Sequence, residues 1–291
     1  MIERKPLVAG AFIAPALALY LLLVIYPLAR GTQLSLTDSK VGNAADFVGL
    51  ANYQTMWHDP AFWRALGITV SYAVVVVVLQ NAIGLVLARA LYLRPRARRV
   101  AGVLILMPTL MSAVMSGFVW SSLLAPNGAL TSLLDALGLH SLTRIWLGDP
   151  HTALWSIAAV NVWMFAGYSA AIFLAGYMNM PRELLDAAQV DGASGARRFI
   201  SIEWPLLAPA LTVNVTLALI GSLKVFDLPL VMTNGGPAGS TETMSMLIYT
   251  MLFRGGGSFA YGAAIAMMLL VVVVVFAGTV QKVLRLREER L

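Results

Sequence analysis

Six apolar runs divide the chain, at residues 7–29, 65–88, 100–125, 153–178, 206–232 and 259–280. Each is long enough for a helix to cross a bilayer core, which takes about 20 apolar residues. The runs predict six membrane-spanning helices in an all-α integral membrane protein, a single transmembrane domain over residues 1–291. The first run is uncharged for 23 residues and ends in Pro-Leu-Ala-Arg. A signal-peptide core takes only about 7–15 residues before a small-residue cleavage site, so this run is read as a span. Pro108 inside the third run predicts a kink. Ala129, Leu130, Leu133, Leu134 and Leu137 recur at helical spacing between the third and fourth runs. They predict a short helix that either lies flat at the membrane interface or packs on its own chain.

The polar interruption at 181–209, PRELLDAAQVDGASGARRFISIEWPLLAP, is the longest on the side that the charge distribution below places in the cytoplasm. Pro181 suits the first position of a helix, because its missing N–H has no partner there anyway. Glu183 puts negative charge at the positive helix end. Leu184, Leu185, Ala188 and Gln189 mark one face. Asp191-Gly192 breaks the helix, since Gly accepts left-handed φ and Asp accepts turns. A second helix carries Ala193, Ala196, Phe199, Ile200 and Glu203 up to Pro205. The pattern is helix, turn, helix; an amphipathic loop on a bilayer surface has the same outline.

Composition supports the membrane reading. Apolar residues make up 59% of the 291-residue chain and charged residues 12%, with mean hydropathy +0.79; a soluble domain carries about 25% charged residues. With no cysteine and only His58, His140 and His151, the chain offers no disulfide framework, no thiolate nucleophile and no metal site. Charge is distributed unevenly. Fourteen Lys and Arg fall on one alternating set of segments: Arg4, Lys5, Arg89, Arg94, Arg96, Arg98, Arg99, Arg182, Arg197, Arg198, Lys282, Arg285, Arg287 and Arg290. Five fall on the other: Arg30, Lys40, Arg64, Arg144 and Arg254. The positive-inside rule then puts both termini and the 181–205 segment in the cytoplasm.

Residues 181–205 resemble the coupling loop of ATP-binding-cassette importer permeases, whose pattern is E-A-A, three residues, G, nine residues, I-x-L-P. Here it reads Asp186-Ala187-Ala188, Gly192 and Ile202-Glu203-Trp204-Pro205 with every spacing matched. Asp186 stands for the usual Glu and Trp204 for the usual Leu. The 47–53 segment FVGLANY, the 146–150 segment WLGDP, and Thr243 to Ala263 with Tyr249, Phe253 and Gly262 are similar to further family segments. Val225-Phe226-Asp227 followed by VMTNGGP at 231–237 resembles the signature of the maltose-type first permease subunit, found in carbohydrate and glycerol-phosphate importers.

The resemblance implies a type I importer permease fold and half of a heterodimeric pore in the bacterial inner membrane. The other half is a sister permease; two ATP-binding subunits sit beneath and an extracytoplasmic solute-binding protein above. It implies no nucleic-acid partner and no cofactor in this chain, ATP and Mg²⁺ belonging to the ATPase. The chain has no P-loop of its own. For the coupling contact the resemblance implicates Glu183, Asp186, Ala187, Ala188, Asp191, Gly192, Ala193, Phe199, Ile202 and Pro205. For the solute path it implicates Met164, Phe165 and Tyr168 in the fourth span and Ala218, Gly221, Ser222 and Val225 in the fifth.

Two charges inside the fifth run point the same way, because ionisable residues in spans mark functional positions. Lys224 and Asp227, at i and i+3, are expected on one helix face; they either pair there, facing a sister subunit, or line the solute cavity. Asn234, Gly235, Gly236 and Pro237 either cap the fifth span as a turn or touch the binding protein. The solute class this implies is a sugar, with glycerol-phosphate or its diesters as the alternative through Lys224. A secondary transporter would instead show related halves and mid-membrane coupling carboxylates. A membrane enzyme would need clustered His, Asp or Glu.

Overall fold

In lipid every backbone N–H and C=O must be satisfied within the segment, and an uncharged run can do that as a helix. The computed structural model bears this out along residues 6–39, 46–254 and 258–289, the residues it describes; among them there is no strand beyond an isolated bridge between Thr37 and Phe47. Arg4, Lys5, Lys40 and Arg290 of the charge count lie outside the described residues. In order, α1 (Pro6–Tyr20) passes through a π turn into α2 (Tyr26–Ser35), then come α3 (Ala51–His58) and α4 (Pro60–Leu93). Next are α5 (Pro95–Leu106), α6 (Ala113–Leu123), α7 (Ala129–Ala136) and α8 (Ala153–Met178). The polar stretch forms α9 (Arg182–Val190), α10 (Gly195–Arg198) and α11 (Trp204–Leu206). Last come α12 (Ala208–Leu223), α13 (Asp227–Met232), α14 (Met244–Phe253) and α15 (Phe259–Glu288).

Four helices are individually long and apolar enough to cross a membrane: Phe12–Ser35, α4, α8 and α15. The third and fifth runs are not straight. Arg98–Leu110 meets α6 at 95°, and Gly195–Leu206 meets α12 at 69°, giving up to six spans if each bent pair is one. At the first bend Pro108 sits in a 3₁₀ turn, Met107–Leu110. There it removes an amide donor and clashes with the carbonyl four residues back. Ser112 restarts the helix by accepting from the Met115 N–H at 3.2 Å. The kink expected at Pro108 is therefore a right-angled break. α7 is the short helix expected at 129–137.

The chain forms two units, Met1–Phe62 with Leu247–Val271 and Trp63–Met246 with Val272–Leu291. In the first, Asn52 of the FVGLANY segment donates to the carbonyls of Ser35 (2.9 Å) and Thr37 (2.7 Å), closing the end of α2. Tyr261 donates to Asp59 at 2.6 Å. In the second, Tyr72 and Val76 of α4 pack with Ile157, Val160 and Met164 of α8 and with Leu228 and Met232 of α13. A further cluster joins Ala88, Phe173, Tyr177, Leu185 and Leu207.

The crossing of α5 and α8 depends on Gly167. A Cβ there would lie 2.0 Å from the Ile105 carbonyl oxygen. Small residues allow such backbone contact between helices in lipid. Gly167→Ala must push the two helices apart, an overpacking cost of about 1–3 kcal/mol. It is expected to lower the melting midpoint of the protein in detergent by about 2–10 °C. Gly221→Ala, whose added Cβ meets nothing within 4 Å, is expected to leave it unchanged.

Candidate functional site

The coupling stretch folds as a helical hairpin. Pro181 is the N-cap of α9, one position earlier than expected, and Glu183 lies in the first turn. The helix closes with Asp191 as C-cap and Gly192 at φ +73°. The Gly192 N–H donates to the Gln189 carbonyl (3.2 Å) and the Ala193 N–H to that of Ala188 (2.9 Å). These are the paired bonds of a Schellman motif, which requires a left-handed residue at the position of Gly192. An added Cβ at Gly192 meets nothing within 4 Å, so within this chain the φ angle alone calls for glycine.

Leu185 and Ala188 are buried on the inner face of α9, whereas Leu184 is half exposed. The opposite face presents Glu183, Asp186, Ala187 and Asp191 to solvent, together with Val190 at 88% exposure. Ala193, Phe199, Ile202 and Pro205 are half-buried along the returning arm of the helical hairpin.

The hairpin is held by a buried carboxylate that the sequence reading counted only as one position on a helical face. Glu203, 2% exposed, accepts from Arg89 Nε at 3.1 Å through Oε2. Its Oε1 lies 3.1 Å from Arg198 Nε as an ion pair without hydrogen-bond alignment. Tyr177 donates to Oε2 at 3.4 Å. Arg89 also donates to the Gly195 carbonyl (3.3 Å) and stacks on the Phe199 ring at 4.8 Å. Arg287 of α15 lies 5.1 Å over Trp204. Residues Phe199–Glu203 form a π turn. On an ordinary α-helix Arg198 and Glu203 would point roughly 140° apart; the wider i→i+5 turn brings them to one side.

The fifth run breaks a second time, and here the structure corrects the sequence reading. α12 stops at Leu223, Lys224 is its C-cap, and Asp227 opens α13. Lys224 and Asp227 therefore do not share one helical face, and neither forms an ion pair among the described residues. The cause is Pro229, which offers no N–H to the Val225 carbonyl and clashes with it in a continuous helix. Thr243 replaces the lost donor, its Oγ1 lying 3.0 Å from the Val225 oxygen.

The break in the third run and this second break in the fifth border one cavity of about 360 Å³. Thr109 and Ala113 line it from the first break, and Lys224, Val225, Phe226 and Asp227 from the second. Phe165 and Tyr168 of α8, with Ala218, Gly221 and Ser222 of α12, complete most of the wall. Met164 is absent from it: at 1% exposure it belongs to the packed core, where its carbonyl accepts from Thr109 at 2.7 Å. Trp163 packs edge-on against Trp120, with centroids 5.4 Å apart. Three amides that sequence reasoning missed, Gln80, Asn161 and Asn214, also face the cavity. Gln80 donates to Ser169 Oγ (2.9 Å) and Asn214 to the Ser169 carbonyl (3.1 Å). Their signal in the sequence is a neutral polar residue inside an apolar run, weaker than that of an ionisable one because an amide can be satisfied by its own helix or a neighbouring one. Three aromatic rings (Phe165, Tyr168 and Phe226), amides, hydroxyls, one cation and one anion form a lining that can stack on a ring and hydrogen-bond its substituents.

Residues 233–241 form a closed turn. Thr241 Oγ1 lies 2.7 Å from both Thr233 Oγ1 and the Gly236 carbonyl. Asn234 (φ +55°) and Ala238 (φ +49°) hold left-handed backbone and are exposed; Gly235 is buried, and Gly236 and Pro237 are half-buried. Among the described residues no group of three His, Cys, Asp or Glu is placed to hold a metal ion.

Comparison with known proteins places this arrangement. The chain is 33% identical over 270 residues to the lactose transport system permease protein of Rhizobium radiobacter, covering 91% of this chain and 90% of the relative. It is 33% identical over 288 residues to the trehalose/maltose transport system permease protein of Thermococcus litoralis, covering 98% and 96%. Its fold matches a chain of a bacterial alginate ABC transporter solved with an alginate pentasaccharide-bound periplasmic protein: TM-score 0.82, 20% identity, 96% and 94% covered. Residues 80–285 match the family model described as binding-protein-dependent transport system inner membrane component, and the chain, a multi-pass membrane protein, belongs to that family of transport permeases.

Proposed function

We propose that this chain is one of two permease subunits of an ATP-driven, binding-protein-dependent importer for a saccharide. The observation that carries the reading is the cavity shared by the break in the third run and the second break in the fifth. Irregular backbone at membrane depth is stable only where protein buries it or water lines it, and the lining pairs Phe165 and Tyr168 with amides, Lys224 and Asp227. Curated relatives that span nearly the same length carry sugar-transport names.

In this reading both termini and the α9–α10 hairpin lie in the cytoplasm. The exposed face of Glu183, Asp186, Ala187, Val190 and Asp191 docks on an ATP-binding subunit, which supplies ATP and Mg²⁺ and performs the hydrolysis. A sister permease closes the cavity from the side left open by Gly221, Lys224 and Asp227. On the far side, Asn234 and the 235–237 turn meet a solute-binding protein. ATP binding closes the ATPase pair, the hairpins move with it, the cavity opens outward to receive the saccharide, and hydrolysis resets it inward.

The test is uptake by the host with and without this chain, using radiolabelled maltose, trehalose, lactose, a maltooligosaccharide mixture and glycerol 3-phosphate. Loss of uptake of at least one saccharide, restored by the intact gene, is expected. Loss of glycerol 3-phosphate uptake alone, or uptake that persists when ATP is depleted, would contradict the reading.

A further inference from the structure

We infer that the Glu203 carboxylate is the positioning residue that transmits movement of the coupling hairpin to the walls of the cavity. The inference rests on the reading of that hairpin as the ATPase contact. Three elements converge on this one carboxylate: Arg89 from α4, Tyr177 from α8, and Arg198 from the hairpin itself. Both span helices continue from there to the cavity. Gln80 lies nine residues before Arg89 on α4, and Tyr168 nine residues before Tyr177 on α8. At 1.5 Å per residue Gln80 is about 13.5 Å along the helix axis from Arg89, and Tyr168 the same from Tyr177. A displacement of the hairpin therefore reaches two helices that line the cavity together, joined beside it by the Gln80–Ser169 bond.

The chemistry of the knot suits transmission rather than simple adhesion. A buried ion pair is weak evidence for stability, because desolvation offsets its attraction, but it fixes geometry. Arg89 cannot be exchanged for lysine without loss. It uses Nε on Glu203, Nη2 on the Gly195 carbonyl, and its flat face on Phe199, three contacts that a single ammonium cannot make at once.

The test uses the complete transporter in its host membrane. This chain has no cysteine, so Gly221→Cys provides a reporter in the cavity, where an added Cβ meets nothing within 4 Å. Labelling by a membrane-impermeant maleimide is read on this chain's gel band with and without ATP and vanadate. With Glu203 intact, ATP is expected to change the labelling rate by about fivefold or more, within the ordinary range of coupling between sites. Glu203→Gln is expected to abolish that ATP-dependent change while ATP hydrolysis persists, and Glu203→Asp to restore part of it. Arg89→Gln, which leaves Glu203 its partner Arg198, is expected to act like Glu203→Gln and decides the matter if the latter does not assemble. An unchanged ATP response in Glu203→Gln or Arg89→Gln overturns the inference. Asp186→Cys, joined to the ATP-binding subunit by a thiol-reactive cross-linker, separates the two levels. If it cross-links and the Glu203 variants still respond to ATP, only the transmission role fails; if it never cross-links, the reading of the hairpin fails with it.

Discussion

Gly192→Val is expected to leave the chain inserted and assembled but to reduce ATP-driven uptake about tenfold or more. The position sits at φ +73° in the Schellman turn that ends α9. A β-branched residue there costs about 1–3 kcal/mol of backbone strain. The exposed turn can relieve that strain by giving up the Gly192 and Ala193 bonds to the end of α9, which redirects α10 relative to α9. A shift of 1.4 kcal/mol between two hairpin conformations is about tenfold in their ratio. Gly192→Asn provides the control, because Asn adopts left-handed backbone far more readily than Val. Nothing within this chain lies within 4 Å of the added Cβ, so Asn is expected to retain at least half of the uptake. Normal uptake by Gly192→Val would dismiss the turn as a determinant; equal loss with Asn and Val would show that a partner's surface needs the missing side chain.

Asp227→Ala and Lys224→Ala are expected to produce the second large effect. Both residues are exposed on the cavity wall at the break between α12 and α13, and neither is neutralised by an ion pair among the described residues. A saccharide hydroxyl bonded to either group makes a charge-assisted hydrogen bond, which contributes about 1.5–3 kcal/mol. Its loss lowers uptake about 10- to 100-fold. Asp227→Asn keeps an acceptor of the same shape and is expected to lose less. The measurement is initial uptake of the saccharide identified for the intact transporter, beside ATP hydrolysis by the same membranes. Uptake by both alanine variants within about twofold of the parent, less than 0.5 kcal/mol, would assign the two charges to packing against a neighbouring subunit instead.

The spans were legible because an apolar run can satisfy its backbone in lipid as a helix; the four spans that are long and apolar enough each overlap a predicted run. The hairpin at 181–205 was legible for a different reason: Glu183, Asp191 and Gly192 are local end signals that act regardless of tertiary context. Local reasoning failed where a distant partner decides the outcome. The helix carrying Lys224 continues in sequence, and only the combination of Pro229 and the Thr243 hydroxyl makes its interruption stable. Met164 and Phe165 are neighbours in an equally apolar run, yet one enters the core and the other the cavity. Glu203 stands at the variable position of the coupling pattern. Its importance rests on Arg89, 114 residues earlier, and on a π turn that no periodicity announces.

Affinity purification of this chain from its own host in mild detergent, with mass spectrometry of the proteins it retains, tests the central claim most directly. Recovery of a second six-span permease together with an ATP-binding subunit is the predicted result, with loss of the ATP-binding subunit when residues 181–205 are replaced by a flexible linker. Recovery of this chain alone, or only as a homodimer, under conditions that preserve its transport activity would contradict the account.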